Sequence, residues 1–278
     1  MKIGNTCSDL IQVNKGVPQG SILGPFLFSI VTGTLKLGNN AHHLVLYADD
    51  ISLCIPLFKG SSNSHVNRLH NKIIQWSNDN GLCLNTSKCK CLVISASQPC
   101  TGVDLPGIVN VDSLRILGVI FNSKGNWSNH FDKVIQLASR RLHPIRVLKQ
   151  NFNIDQGLLR NVYFATLRSF LEYCSPLFLG ISSQDAKRLD KVQRRAHRVI
   201  CGDKCNLNCF PDLRERRTSQ SLRLFIKMHN DKHIILNNLI PEHSPTGRII
   251  LPHARTTRFL NSFIFKASLL FDESFCRS

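Results

Sequence analysis

Apolar and polar residues follow two different periods along the chain, and the change falls near residue 125. Before it, short β-like runs (Leu10 to Val13, Leu44 to Ile55, Cys89 to Ser95, Leu114 to Phe121) alternate with two stretches of helical spacing, roughly Pro25 to Leu37 and Ser61 to Asn80. That alternation predicts an α+β segment. After it the spacing is helical. Phe131, Val134, Ala138, Leu142 and Ile145 form one apolar stripe, with Lys133, Arg140, Arg141, Arg146 and Lys149 on the remaining faces. The stretch "SSQDAKRLDKVQRRAHRVI" repeats the design: Leu189, Val192, Ala196 and Val199 form the buried face, and Lys187, Arg188, Lys191, Arg194, Arg195 and Arg198 an exposed basic one. Ser182 or Ser183 supplies its N-cap, and Asp185 in the first turn suits the helix dipole. From Pro241, "PEHSPTGRIILPHARTTRF" is basic and Pro-rich and predicts an extended arm before a short apolar segment, Phe263 to Phe271. The expected organisation is an α+β region over 1–125, basic helices over 126–240 and a C-terminal arm over 241–278.

Charge narrows the choice of partner. The 35 Lys and Arg stand against 18 Asp and Glu in 278 residues, a net charge of +17 with pI near 9.7, which favours a polyanion, either nucleic acid or an anionic membrane surface. The 42% hydrophobic content supports one or two domains with cores of their own. The longest apolar stretch, Ile22 to Val31, contains Gly24 and Pro25 and falls short of the roughly 20 residues of a membrane span. No signal peptide is recognisable at Met1, so the expectation is an intracellular protein of cytoplasm or nucleus without a membrane role. Eleven scattered cysteines suit a reducing compartment. Cys89 with Cys91, and Cys201, Cys205 and Cys209, lack the paired spacing of zinc sites and read as buried thiols. His42 and His43 read as strand neighbours on opposite faces.

Two segments carry candidate chemistry. "LVLYADDISLCI" puts Asp49 and Asp50 side by side between apolar runs, where the cost of desolvation and mutual repulsion calls for a cation. Strand-like flanks place the acids at a hairpin tip, and oxygen donors there, on a basic protein, suit a magnesium ion shared with substrate phosphates. "GVPQGSILGPFLFSI" is a glycine- and proline-rich loop feeding a helix N-terminus, a geometry suited to phosphate.

Taken together, Gly16-Val17-Pro18-Gln19-Gly20-Ser21 followed by Tyr47-Ala48-Asp49-Asp50 closely resembles the palm of reverse transcriptases, most nearly those of jockey-like non-LTR retrotransposons. "GLCLNTSKCKCLVI" looks like the segment that supplies a lysine after the acidic hairpin, here Lys88. "LRILGVIFNSKG" looks like the hairpin that grips the primer, centred on Leu117-Gly118-Val119, and the basic helices beyond look like a thumb. The resemblance implies an α+β fold with a palm-type antiparallel sheet, followed by a mainly helical thumb and C-terminal region.

By the same resemblance, Asp49 and Asp50 hold two Mg2+ (or Mn2+) ions, one lowering the pKa of the primer 3′-hydroxyl and the other neutralising the incoming triphosphate. Gln19, Gly20, Tyr47 and Ala48 border the template and nascent base pair, and Leu117 and Gly118 press on the primer. Arg140, Arg141, Arg194, Arg195 and Arg198 follow the phosphates of an RNA–DNA hybrid. Two readings of Lys88 stand, a proton donor to pyrophosphate and an edge-strand lysine that blocks aggregation. The implied partners are an RNA template, a DNA primer and deoxynucleoside triphosphates.

The family carries a further catalytic aspartate upstream of the glycine loop, whereas only Asp9 precedes Gly16 here, too near to match. The expectation is a truncated copy that starts inside the palm and has little polymerase activity by itself. The rival expectation is a non-catalytic nucleic-acid-binding remnant.

Overall fold

A computed structural model describes residues 2–3, 6–7, 16–38, 43–57, 63–95, 103–152, 154–202, 210–233, 235–244 and 248–275. The run Leu10 to Val13, Asp9, His42, Cys205 and Cys209 lie outside them. The chain gathers into two compact units, Met1–Val93 with Ser97–Asp112, and Ile94–Ala96 with Ser113–Ser278.

The first unit contains β1 (Lys2–Ile3) paired with β2 (Thr6–Cys7), α1 (Gly24–Thr32), the hairpin β3 (His43–Tyr47) and β4 (Asp50–Cys54), α2 (Ser64–Asp79), and β5 (Lys90–Cys91) paired with β6 (Val109–Asn110). Strand alternation sends Leu44, Leu46, Ile51 and Leu53 to one face of the β3–β4 hairpin, where they pack with Leu69, Ile73 and Trp76 of α2 and with Leu35 and Leu37. Helical spacing was expected to run to Leu37, but α1 stops at Thr32. Leu35 and Leu37 are buried while Lys36 is exposed, so a period of two replaces the helix where the chain must feed this core. Trp76 Nε1 donates to Thr34 Oγ1 at 2.9 Å, tying α2 to the same segment. A smaller cluster of Val66, Val103 and Leu105, with Cys91, Val93 and Ile108 against it, supports β5–β6.

The second unit contains the hairpin β7 (Ser113–Ile116) and β8 (Val119–Asn122), α3 (Ser128–Phe152), α4 (Gln156–Val162) running through a π-helical stretch Tyr163–Arg168 into α5 (Ser169–Leu171), α6 (Ser183–Cys201), α7 (Leu213–Asn230), α8 (Thr257–Leu260) and α9 (Phe263–Phe275). Every residue of the predicted α3 stripe is buried, and it packs with Tyr163, Leu167, Leu189, Val192 and Ala196 in one core. Ser182 is the N-cap of α6: its Oγ accepts from the Asp185 N–H at 3.1 Å. Val199, expected in the α6 core face, is half-buried, and Gln193, His197 and Ile200 are buried instead. Arg188, expected on the exposed face, bonds Asp132 of α3 at 2.6 Å and Asp185 at 3.2 Å. The arm after Pro241 folds back in part, with Ile249 buried beside Phe225 and Ala267, and His243 bridging to Ile249.

The expected palm-type architecture is met in its coarse form, a mixture of helices and small sheets. Among the described residues the strands form four separate two-stranded pairs, of which β5–β6 is parallel, rather than a continuous antiparallel palm sheet. Helix residues cover one face of the β3–β4 hairpin, but no described strand lies along its edges to extend the ladder. Among the described residues, no helix is long and apolar enough to cross a membrane.

Candidate active site

The acidic hairpin closes with Tyr47 directly opposite Asp50, leaving Ala48 and Asp49 as a two-residue turn. Ala48 takes a left-handed φ of 51°, a conformation that lets a tight turn follow strand twist but that an L-residue adopts at a cost. The consequence is placement. Asp49 stands at the tip, and Asp50 shares the open face with Tyr47, opposite the face packed on α2. All four residues of Tyr47-Ala48-Asp49-Asp50 are exposed, and among the described residues neither carboxylate has a hydrogen-bond or ion-pair partner. Two unpartnered carboxylates at one apex form an all-oxygen donor set of the kind that magnesium takes. Among the described residues no third Asp, Glu, His or Cys joins them in a metal-binding group, so the pair fits as part of a site rather than a whole one.

The glycine loop has a definite turn. The Ser21 N–H donates to Pro18 O at 3.1 Å, and Gly20 has φ 86°, so Pro18 to Ser21 forms a type II turn with Gln19 and Gly20 as its exposed central residues. A Cβ on Gly20 would meet no atom within 4 Å, so backbone angle rather than crowding demands glycine there. Ser21 Oγ then accepts from the Gly24 N–H at 3.1 Å and fixes the entry to α1. That helix is apolar yet open: Phe26 is 64% and Ile30 54% exposed. Lys88 is exposed in a 3-10 turn, Thr86–Lys88, one turn before β5 rather than on a strand. Cys89 and Cys91 are free and half-buried, and burial pushes both thiols up, away from the thiolate a metal needs.

In the second unit, Leu117 and Gly118 form the two-residue turn of the β7–β8 hairpin, with φ 47° and 89°. Arg140, Arg194, Arg195 and Arg198 are exposed. Arg141 is engaged within the unit: Nη1 donates to Thr166 O at 3.0 Å and the guanidinium lies 4.0 Å from the centre of the Phe170 ring. Sequence reasoning passed over two features here. Arg146, Lys149, Gln150 and Val199 line an open groove of about 360 Å³ on α3 and α6, and the basic residues facing it were legible only as general decoration. Tyr173 donates to Leu117 O at 2.6 Å, and no periodicity connects residues 56 positions apart.

Residues 2–121 match the family described as "Reverse transcriptase (RNA-dependent DNA polymerase)". The chain is similar to the "Probable RNA-directed DNA polymerase from transposon BS" of Drosophila melanogaster, 24% identical over 72% of this chain and 24% of the relative. It is likewise similar to the RNA-directed DNA polymerase from mobile element jockey of the same species, 24% identical over 70% of this chain and 23% of the relative. The jockey polymerase of Drosophila funebris is 28% identical over 68% of this chain and 22% of its own length. The chain thus spans about a quarter of the length of the curated relatives it matches. No solved structure matches it. Residues 2–121 thus resemble reverse transcriptases, and the chain is similar to RNA-directed DNA polymerases of Drosophila mobile elements.

Proposed function

We propose that this chain is a portion of an RNA-directed DNA polymerase in which Asp49 and Asp50 hold a divalent cation for nucleotidyl transfer to a DNA primer on an RNA template. The observation that carries the reading is the apex itself, two exposed carboxylates without partners among the described residues, held by a turn whose first residue accepts a strained backbone. When bound, magnesium supplies charge neutralisation of the triphosphate and activation of the primer hydroxyl. The chain's own residues do the positioning. Asp49 and Asp50 fix where a cation can sit, and Tyr47, on the same face as Asp50, offers an exposed ring beside it. Gln19 and Gly20 present an exposed type II turn to template and base pair. Lys88, exposed on its turn, is available as a proton donor. The second unit supplies the Leu117–Gly118 turn to the primer and its exposed arginines to the hybrid backbone.

With two carboxylates rather than three in the described apex, the chain alone is expected to extend primers feebly or not at all. Primer extension on an RNA template with magnesium tests this. Incorporation that Asp49→Asn abolishes establishes polymerase activity and refutes the expected feebleness. Incorporation unchanged in Asp49→Asn and Asp50→Asn overturns the assignment of the acids.

A second reading, a nucleic-acid binder without chemistry, is favoured by the exposed cations Lys191, Arg194, Arg195 and Arg198 of α6 together with the missing third carboxylate among the described residues. It predicts binding that falls with salt and is indifferent to magnesium and to Asp49→Asn.

A further inference from the structure

The β7–β8 turn is made in an unexpected way. With one residue pair closing the ladder at Ile116 and Val119, both central residues have positive φ, the pattern of a type I′ turn, for which Asn-Gly and Asp-Gly are the favoured sequences. Here the first position is Leu117, a bulky residue with no side-chain hydrogen bond to offset the left-handed conformation. Its side chain is 41% exposed, so burial of the leucine does not explain the choice either.

What holds the turn is a residue of another element. Tyr173 lies just past α5, and its hydroxyl donates to the Leu117 carbonyl at 2.6 Å. Its ring covers Gly118 so closely that a Cβ there would stand 3.3 Å from Cε1. The ring is itself aimed by an uncommon backbone, because the next residue, Cys174, has φ 54° and starts the 3-10 turn Ser175–Phe178. Two of the three left-handed non-glycine residues among those described therefore sit on the two sides of one contact. Below it, Phe178 packs with Trp127, His130 and Phe131, so the platform carrying Tyr173 is rooted in the core.

We infer that Tyr173 is a positioning residue for the primer-contacting turn: by holding the Leu117 carbonyl and walling Gly118, it fixes Leu117 in a left-handed conformation that presents its side chain outward to the nucleic acid. This rests on the proposed role of the Leu117–Gly118 turn. A strained turn held by a neighbour is preorganised, so the ordering cost of engaging a primer is met in folding rather than in binding.

The experiment uses the full chain and a fluorescently labelled RNA–DNA primer–template, with binding affinity and thermal stability read side by side for Leu117→Ala, Tyr173→Phe and the double variant. Tyr173→Phe keeps the ring over Gly118 and removes only the hydroxyl. The expected result is that each single change weakens binding several-fold, that the double variant is no weaker than the worse single, and that Tyr173→Phe shifts the melting temperature little. Weakening by Leu117→Ala with wild-type affinity in Tyr173→Phe overturns the positioning role and leaves the primer reading standing. Wild-type affinity in Leu117→Ala removes the primer reading and this inference with it. Losses that add independently in the double variant, or that track the fall in melting temperature, make Tyr173 a stability residue only.

Discussion

Ala48 and His130 show how single positions set measurable limits. Ala48 has φ 51° in the turn that presents Asp49, and relief of a left-handed alanine by glycine is worth about 1 kcal/mol against a gain in unfolded-chain entropy of similar size. Ala48→Gly is therefore expected to leave global stability within about 0.5 kcal/mol while loosening the apex, seen as faster amide exchange at Asp49 and Asp50. His130 is 4% exposed, its Nδ1 accepts from the Ile120 N–H at 3.3 Å, and its ring stacks on Phe178. Burial holds its pKa below 6.5, so the unfolded chain takes up the proton first as pH falls. Its contribution is full above about pH 6.5 and is lost as pH drops from there to the lower folded value, which gives a positive slope of stability with pH. Urea unfolding at successive pH values should show that slope, reduced in His130→Asn. Of these details, the acids at a hairpin tip were legible, because alternating apolar residues on both sides leave only a turn between them. The left-handed alanine and the buried imidazole were not, since the first depends on the ladder register and the second on what folds over it.

At the scale of elements, legibility followed the number of residues that had to agree. The α3 stripe of Phe131, Val134, Ala138, Leu142 and Ile145 spans four turns, and every member is buried where its spacing put it. Of the β-like run Cys89 to Ser95 only Lys90–Cys91 is strand, its partner Val109–Asn110 is too short to show a period, and their parallel pairing was invisible. Side chains that cross between elements were equally hidden. Glu172 receives Arg216 through both Nε and Nη2, the latter at 2.8 Å, and Gln220 Nε2 at 3.1 Å, with Arg168 at 3.9 Å on its own helix face. With the carboxylate side chain only 11% exposed, removing it leaves the Arg216 guanidinium without its acceptor. Glu172→Ala is expected to lower the stability of the second unit by about 3 kcal/mol, and Glu172→Gln by less, in denaturant unfolding. At the start of α6, Ser182→Ala removes the acceptor for the Asp185 N–H and should cost about 1 kcal/mol. A loss from Glu172→Ala no larger than that of the cap would show the cluster to be a solvated surface pair.

On the scale of the whole molecule, 35 basic against 18 acidic residues favour a polyanionic partner but do not say which cations would reach one. The structure divides them by use. Arg188 is bonded to Asp132 and Asp185, Arg141 to Thr166 O and the Phe170 ring, and Arg216 to Glu172, so these serve packing. Lys191, Arg194 and Arg195 lie exposed along α6, and Arg146 lines the groove against Val199, where Lys149 instead donates to Ile200 O at 3.1 Å. The two groups should respond differently to neutralisation. Each phosphate that a protein cation ceases to neutralise lowers the slope of log K against log salt by about 0.7 to 0.9. Replacing Lys191, Arg194 and Arg195 together by glutamine should flatten that slope for an RNA–DNA duplex by roughly 2 to 3 with the melting temperature nearly unchanged. Arg141→Gln should do the reverse, lowering the melting temperature by removing the guanidinium from the Phe170 ring while the slope stays the same. Binding titrations across a salt series, run beside thermal unfolding, separate the outcomes. A slope unaltered by the triple change would place the nucleic-acid interface elsewhere and reduce α6 to a solvated helix, whatever the net charge of the chain.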